Sequence, residues 1–159
     1  VAKKGKLQKN KELVTGLEAA IDRFHAEYSY LPASVQPAPS YDEEYSGRTL
    51  VRILEELEGK SDDLTYNTKG INFLEAIPPA EAERAGITRI RDKITGITNA
   101  FGEPIYVLLD YSYDEVLQSP TEIESREVSG VRTLVWTFGH ENQGASREEI
   151  LENSAASWR

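Results

Sequence analysis

The 159-residue chain has no cysteine, no methionine and only two histidines, and no stretch of it approaches the ~20 consecutive apolar residues that cross a bilayer as a helix. Without cysteine there is no disulfide framework, no thiol redox chemistry and no thiolate zinc site, although the compartment stays open because exported proteins often lack cysteine. With His25 and His140 alone, a metal centre or catalytic triad would have to be built around one of them. Gly144 stands where a zinc-protease helix would place its second histidine, and His25, next to Phe24, reads as a surface or interface residue. There is no P-loop, dinucleotide fingerprint or nucleophile elbow, and adjacent acids such as Asp62 and Asp63 read as solvated. The expectation is a protein that is not an enzyme and needs no cofactor. No signal-peptide pattern is present, so the chain as written reads as soluble. The absence of methionine even at position 1 reads as an N-terminus made by processing or truncation.

Charge is uneven. Residues 1–11 carry five lysines and no acid, and the remainder is strongly acidic, giving a net charge of −9. A basic arm on an acidic body invites a nucleic-acid reading. Lysines without interleaved aromatics or arginines more often make a solvated helix face, and the acidic body repels phosphates, so no nucleic-acid partner is expected. A further reading places the lysines beside lipid headgroups, should an apolar segment precede Val1.

The length fits a single domain in three stretches: an N-terminal helix (1–30), a loop region with short helices (31–100), and strands with a C-terminal segment (101–159). In the first, Leu7, Leu13, Val14, Leu17, Ala20, Ile21, Phe24 and Tyr28 recur at three- and four-residue steps, which predicts an amphipathic helix. Residues 31–46, with three prolines, read as an irregular loop. Residues 49–58 read as a second helix burying Leu50, Val51, Ile53, Leu54 and Leu57, with Gly59 at its end. Pro79 to Ala85 are open to one or two helical turns. In residues 87–97 the isoleucines fit helical spacing, but the β-branched composition favours an extended ribbon. Ile105, Val107, Leu109 and Tyr111 alternate along one strand, and Leu134, Trp136 and Phe138 along another; a short strand is expected at Val116 and Leu117, with 120–130 a polar connection. Trp136 is expected to be buried with Phe24 or Leu17. Ser146 to Glu149 match a capping box. The fold class is therefore α+β, a long helix covering an antiparallel sheet of about three to five strands.

Several phrases, in this order, resemble type IV pilins and the pseudopilins of type II secretion: Glu27-Tyr28-Ser29-Tyr30-Leu31-Pro32 at the helix end, Asn67-Thr68-Lys69-Gly70-Ile71-Asn72-Phe73-Leu74-Glu75, Asn99-Ala100-Phe101-Gly102-Glu103-Pro104 leading into a strand, and Val135-Trp136-Thr137-Phe138-Gly139 before a terminal Ser157-Trp158. The resemblance implies a type IV pilin-like fold and a structural subunit of an envelope filament. It implies an inner-membrane anchor through a preceding hydrophobic helix, and other pilin or pseudopilin subunits with their assembly machinery as partners. The expected interface comprises Lys3, Lys4, Lys6, Lys9 and Lys11 with the acidic Asp42, Glu43 and Glu44. The alternative is a free extracellular binding or adhesion protein that makes contact through the proline-rich loop, with Tyr41 and Tyr45 exposed. Major pseudopilins hold calcium in an acidic C-terminal loop; here that loop offers Glu141, Asn142, Gln143, Glu148 and Glu149 against Arg147, too few carboxylates for a hard cation, and no metal is expected.

Overall fold

The computed structural model describes residues 3–81, 85–139 and 146–159. In chain order the elements are α1 (Lys3–Tyr28), β1 (Glu43–Ser46), α2 (Arg48–Glu58), β2 (Gly86–Ile90), β3 (Lys93–Thr98), β4 (Ile105–Leu109), β5 (Val116–Gln118), β6 (Glu127–Ser129), β7 (Thr133–Thr137), α3 (Arg147–Glu152) and β8 (Ala155–Ala156).

The stripe predicted for α1 is the one it buries. Leu13, Val14, Leu17, Ala20, Ile21 and Phe24 are at most 4% exposed, while Leu7 and Tyr28 at the two ends are half-buried. The helix stops at Ser29, whose φ of 63° is left-handed. Past that point Tyr28 donates to Asn67 Oδ1 and Tyr30 to the Tyr66 carbonyl, and the Phe24 ring packs 5.3 Å from that of Phe73. The Tyr-rich stop and the 67–75 phrase thus meet in space and lock the helix end to the loop region.

The main sheet has the order β1-β4-β7-β8 and is antiparallel throughout; α1 packs along β7 and β8. The helix-on-antiparallel-sheet expectation holds at this level. One difference is that the sheet is covered on both faces. Val107 and Val135 join the core beneath α1, while Leu134 and Trp136 join a second cluster with Leu117, Ile123 and Val128. That outer cover is an antiparallel hairpin of β5 and β6, so 120–130 is more than a polar connection. It places a strand at Glu127–Ser129 and buries Ile123 and Val128.

Trp136 is 2% exposed, as expected, but its neighbours are not. It faces away from α1, stacked on the cross-strand partner Tyr106 at 5.7 Å and meeting Trp158 edge-on at 5.9 Å. Side chains alternate across a strand, so once Val135 points at the helix Trp136 must point away.

Two other expectations change. Glu43–Ser46, read as the end of a loop, forms an edge strand through pairing with β4. Tyr45, expected to be exposed, is 3% exposed, because it lies directly opposite Val107 in the register and shares its inward face. Residues 86–98 form the extended ribbon, with a turn at Arg91 and Asp92, both at positive φ. Pro79 makes a parallel bridge with Ile87, and Ala80 N–H donates to the Ile87 carbonyl, in place of a helical turn; residues 82–84 of that stretch lie outside the described residues. The helix stop at Gly59 holds, since its φ is 76° and a Cβ there would lie 2.6 Å from both Asn67 Nδ2 and the Ile71 carbonyl oxygen.

Candidate functional site

At about 100° per residue, Lys4 and Lys11 share a face of α1 while Lys3, Lys6 and Lys9 fall elsewhere around it, so the five lysines are not one surface. Lys6 is half-buried, its ammonium 5.3 Å from the centre of the Phe101 ring. Lys9 pairs with Glu12 at 3.4 Å. Lys3, Lys4 and Lys11 are exposed. Lys4 and Lys11 line an open groove of about 370 Å³ between α1 and the C-terminal segment, with Arg159 as a third cation, Glu152 as an anion, and Leu7, Ala155 and Ala156 as apolar lining.

The opposite end of α1 is acidic. Leu31 N–H donates to the Tyr113 hydroxyl and the rings of His25 and Tyr113 lie 6.3 Å apart, which places the turn after β4 beside the helix C-terminus. There Asp110 and Asp114 meet Asp42, which the β1–β4 pairing brings alongside, and the three carboxylates come within 4.8 Å of one another. Ser112 Oγ lies 2.9 Å from Asp42, 3.0 Å from Asp110 and 3.2 Å from Asp114. One hydroxyl carries one hydrogen, so it serves only one of the three at a time. Among the described residues this is where oxygen ligands for a cation converge, although acids grouped at a surface commonly stand without one. Asp42 thus belongs with Asp110 and Asp114, while Glu43 and Glu44 lie on the edge strand β1. Of the C-terminal loop, Glu141, Asn142 and Gln143 lie outside the described residues. Glu148 and Glu149 are exposed in the first turn of α3, where the Glu149 N–H donates to Ser146 Oγ as the capping box requires.

Burial is the main cause that raises the Asp110 carboxyl above the ordinary aspartate value, and the nearby Asp42 charge adds to it, while hydrogen bonds from Glu115 N–H and Ser112 oppose it. A carboxyl whose folded value is raised favours folding most below the unfolded value of 3.8, and that contribution disappears as pH rises through the folded value. The stability of Asp110→Asn relative to wild type is therefore expected to improve as pH rises through this window, read from urea midpoints across an acid-to-neutral series. A gap that moves the other way would place Asp110 in a stabilising ion pair. His25 is held below the ordinary histidine value, first by burial and then by Arg132, so it is neutral at physiological pH.

The tyrosines divide. Tyr41 is 65% exposed, as expected of a contact residue. Tyr45 is an internal strut, its hydroxyl 3.0 Å from that of Tyr111, which donates to the Pro32 carbonyl at 2.8 Å; burial pushes both phenols up, leaving them neutral.

Sequence reasoning missed two buried polar residues that shape these ends. Asn10 is fully buried, and its Oδ1 accepts from Ala100 N–H at 2.7 Å, tying the basic end of α1 to the 99–104 loop. That loop is organised by Asn99, whose Oδ1 accepts from Phe101 and Glu103 N–H. The signal was available: Asn10 lies three residues after Leu7 and three before Leu13, on the apolar stripe itself. Glu56, also fully buried, organises the 65–67 turn with its carboxylate.

No known family model, no curated protein and no solved structure matches this chain. Among the described residues, no helix is long and apolar enough to cross a membrane.

Proposed function

We propose that this chain is the head of a type IV pilin-like subunit, a non-enzymatic building block of an envelope filament, either a pilus or a secretion pseudopilus. The observation that carries the reading is α1, a 26-residue helix whose C-terminal two thirds is buried along an antiparallel sheet while its first turns carry the lysines. The family-like phrases at 27–32, 67–75 and 99–104 support it, because each occupies a joint between this helix and the rest of the head. In this reading the basic turns continue into an apolar segment that anchors the subunit in the inner membrane and packs against its neighbours in the filament. The partners are further copies and the envelope assembly machinery.

Reversing Lys3, Lys4 and Lys11 to glutamate in the membrane-anchored protein is expected to reduce filament formation or secretion and to leave the isolated head folded, read by pelleting of sheared filaments and by thermal melting. Normal assembly by that variant would show the lysines to be a solvated face. The second reading, a free extracellular binding protein on the same scaffold, is favoured by the exposed Tyr41 and Val35 in the proline-rich loop. A free binder would keep its activity without any anchoring segment, which a filament subunit would not.

A further inference from the structure

We propose that the basic groove at the start of α1 receives the acidic turn at the far end of a second copy of this chain, so that copies stack head to tail. The proposal deepens the filament reading and rests on it for its occupant. The two surfaces sit at opposite ends of the same helix, separated by about 30 Å at 1.5 Å per residue, so one molecule cannot bring them together. The groove presents Lys4, Lys11 and Arg159 around Leu7, Ala155 and Ala156, with Glu152 as the opposing charge. Among the described residues neither lysine has an ion-pair partner.

The turn and the residues just ahead of β1 present the complement: Asp42, Asp114 and Glu115, all exposed, the last 3.4 Å from Arg132 as the opposing charge, with the exposed rings of Tyr41 and Tyr113 next to them in sequence. Cations around an apolar lining meet acids around aromatic rings. The turn is also rigid, since Tyr113 accepts from Leu31 N–H, the Glu115 N–H donates to Asp110, and the Val116 N–H donates to Asp114; little ordering cost is added on docking. A contact between two different surfaces leaves one of each free in every dimer, so repeated with a rotation that does not close into a ring it produces an open chain of subunits.

Two variants test it, Lys4→Gln/Lys11→Gln/Arg159→Gln and Asp42→Asn/Asp114→Asn/Glu115→Gln, the second retaining an acceptor oxygen at every position. At low ionic strength, sedimentation should show wild-type mass rising with concentration without a plateau. Each variant alone should associate about tenfold more weakly, the size of three exposed ion pairs. Their equimolar mixture should recover a one-to-one dimer and nothing larger, because one partner keeps only its groove and the other only its turn; this recovery also shows both variants folded. Added salt should dissolve the contact. A closed wild-type dimer, or a mixture no heavier than its parts, overturns the proposal. So does binding to phosphatidylserine vesicles that is lost in the groove variant while self-association is unchanged, which would assign the groove to lipid headgroups. If the mixture fails to associate but the anchored protein still builds filaments, the contact falls and the filament reading stands. If the contact is present and no filaments form, the reverse holds.

Discussion

Glu56→Ala is expected to destabilise the protein by about 3–5 kcal/mol, the range for breaking a buried charge network by removing one partner. Glu56 is 0% exposed, and its carboxylate accepts from Thr65 N–H at 3.0 Å, Tyr66 N–H at 3.0 Å and Asn67 N–H at 2.7 Å, with Arg52 3.5 Å away. Alanine leaves three main-chain donors without their acceptor, that of Asn67 buried and those of Thr65 and Tyr66 half-buried, each costing about 1–3 kcal/mol where water cannot enter. The damage spreads, because Asn67 in turn holds the Tyr28 hydroxyl and the Ile71 carbonyl, and so the end of α1. Urea denaturation measures the loss directly; Glu56→Gln, which keeps an acceptor oxygen, should fall between alanine and wild type. A loss under about 1 kcal/mol for the alanine variant would mean that solvent replaces the carboxylate and that the turn is held by other contacts.

Trp136→Ala is expected to cost a similar ~3–5 kcal/mol, for a different reason. Its ring forms the centre of the outer cluster, stacked on Tyr106 and abutting Trp158, and its removal undercuts both the β5–β6 hairpin and the C-terminal segment. The loss should therefore free the C-terminal segment first, so that protease cutting near 146–159 appears before cutting in α1. In the wild type, iodide should quench Trp136 far less than free indole. Efficient quenching, or a destabilisation confined to α1, would contradict the placement of this ring on the outer face.

How much of this was legible follows from where the constraint lies. The α1 stripe was readable because a long helix repeats its burial pattern over several turns, and the 86–98 ribbon because β-branched residues outweighed a four-point helical spacing. The end of α2 was readable because Gly59 sits in the left-handed region that other residues disfavour. The face chosen by Trp136 was not readable. The strand Thr133–Thr137 is buried on both faces, with the more apolar face of Leu134 and Trp136 turned away from α1, so its alternation does not say which cover each face meets, and only the second cover from the β5–β6 hairpin explains it. The inward turn of Tyr45 depends on pairing with a strand some sixty residues later. At the candidate site, the lysines and the acids were each visible as charge. The grouping of Asp42 with Asp110 and Asp114, and of Lys4 with Arg159, joins residues distant in sequence and emerges only from the fold.

The central proposal is that this chain is a filament subunit, and the direct measurement is electron microscopy of envelope preparations from cells that express it behind an apolar anchoring segment. The account predicts thin filaments sheared from the envelope that are labelled along their length by antibody to this head, and their loss when the anchoring segment is removed. Envelope preparations free of filaments, with the head dispersed and still active in binding a partner, would contradict it.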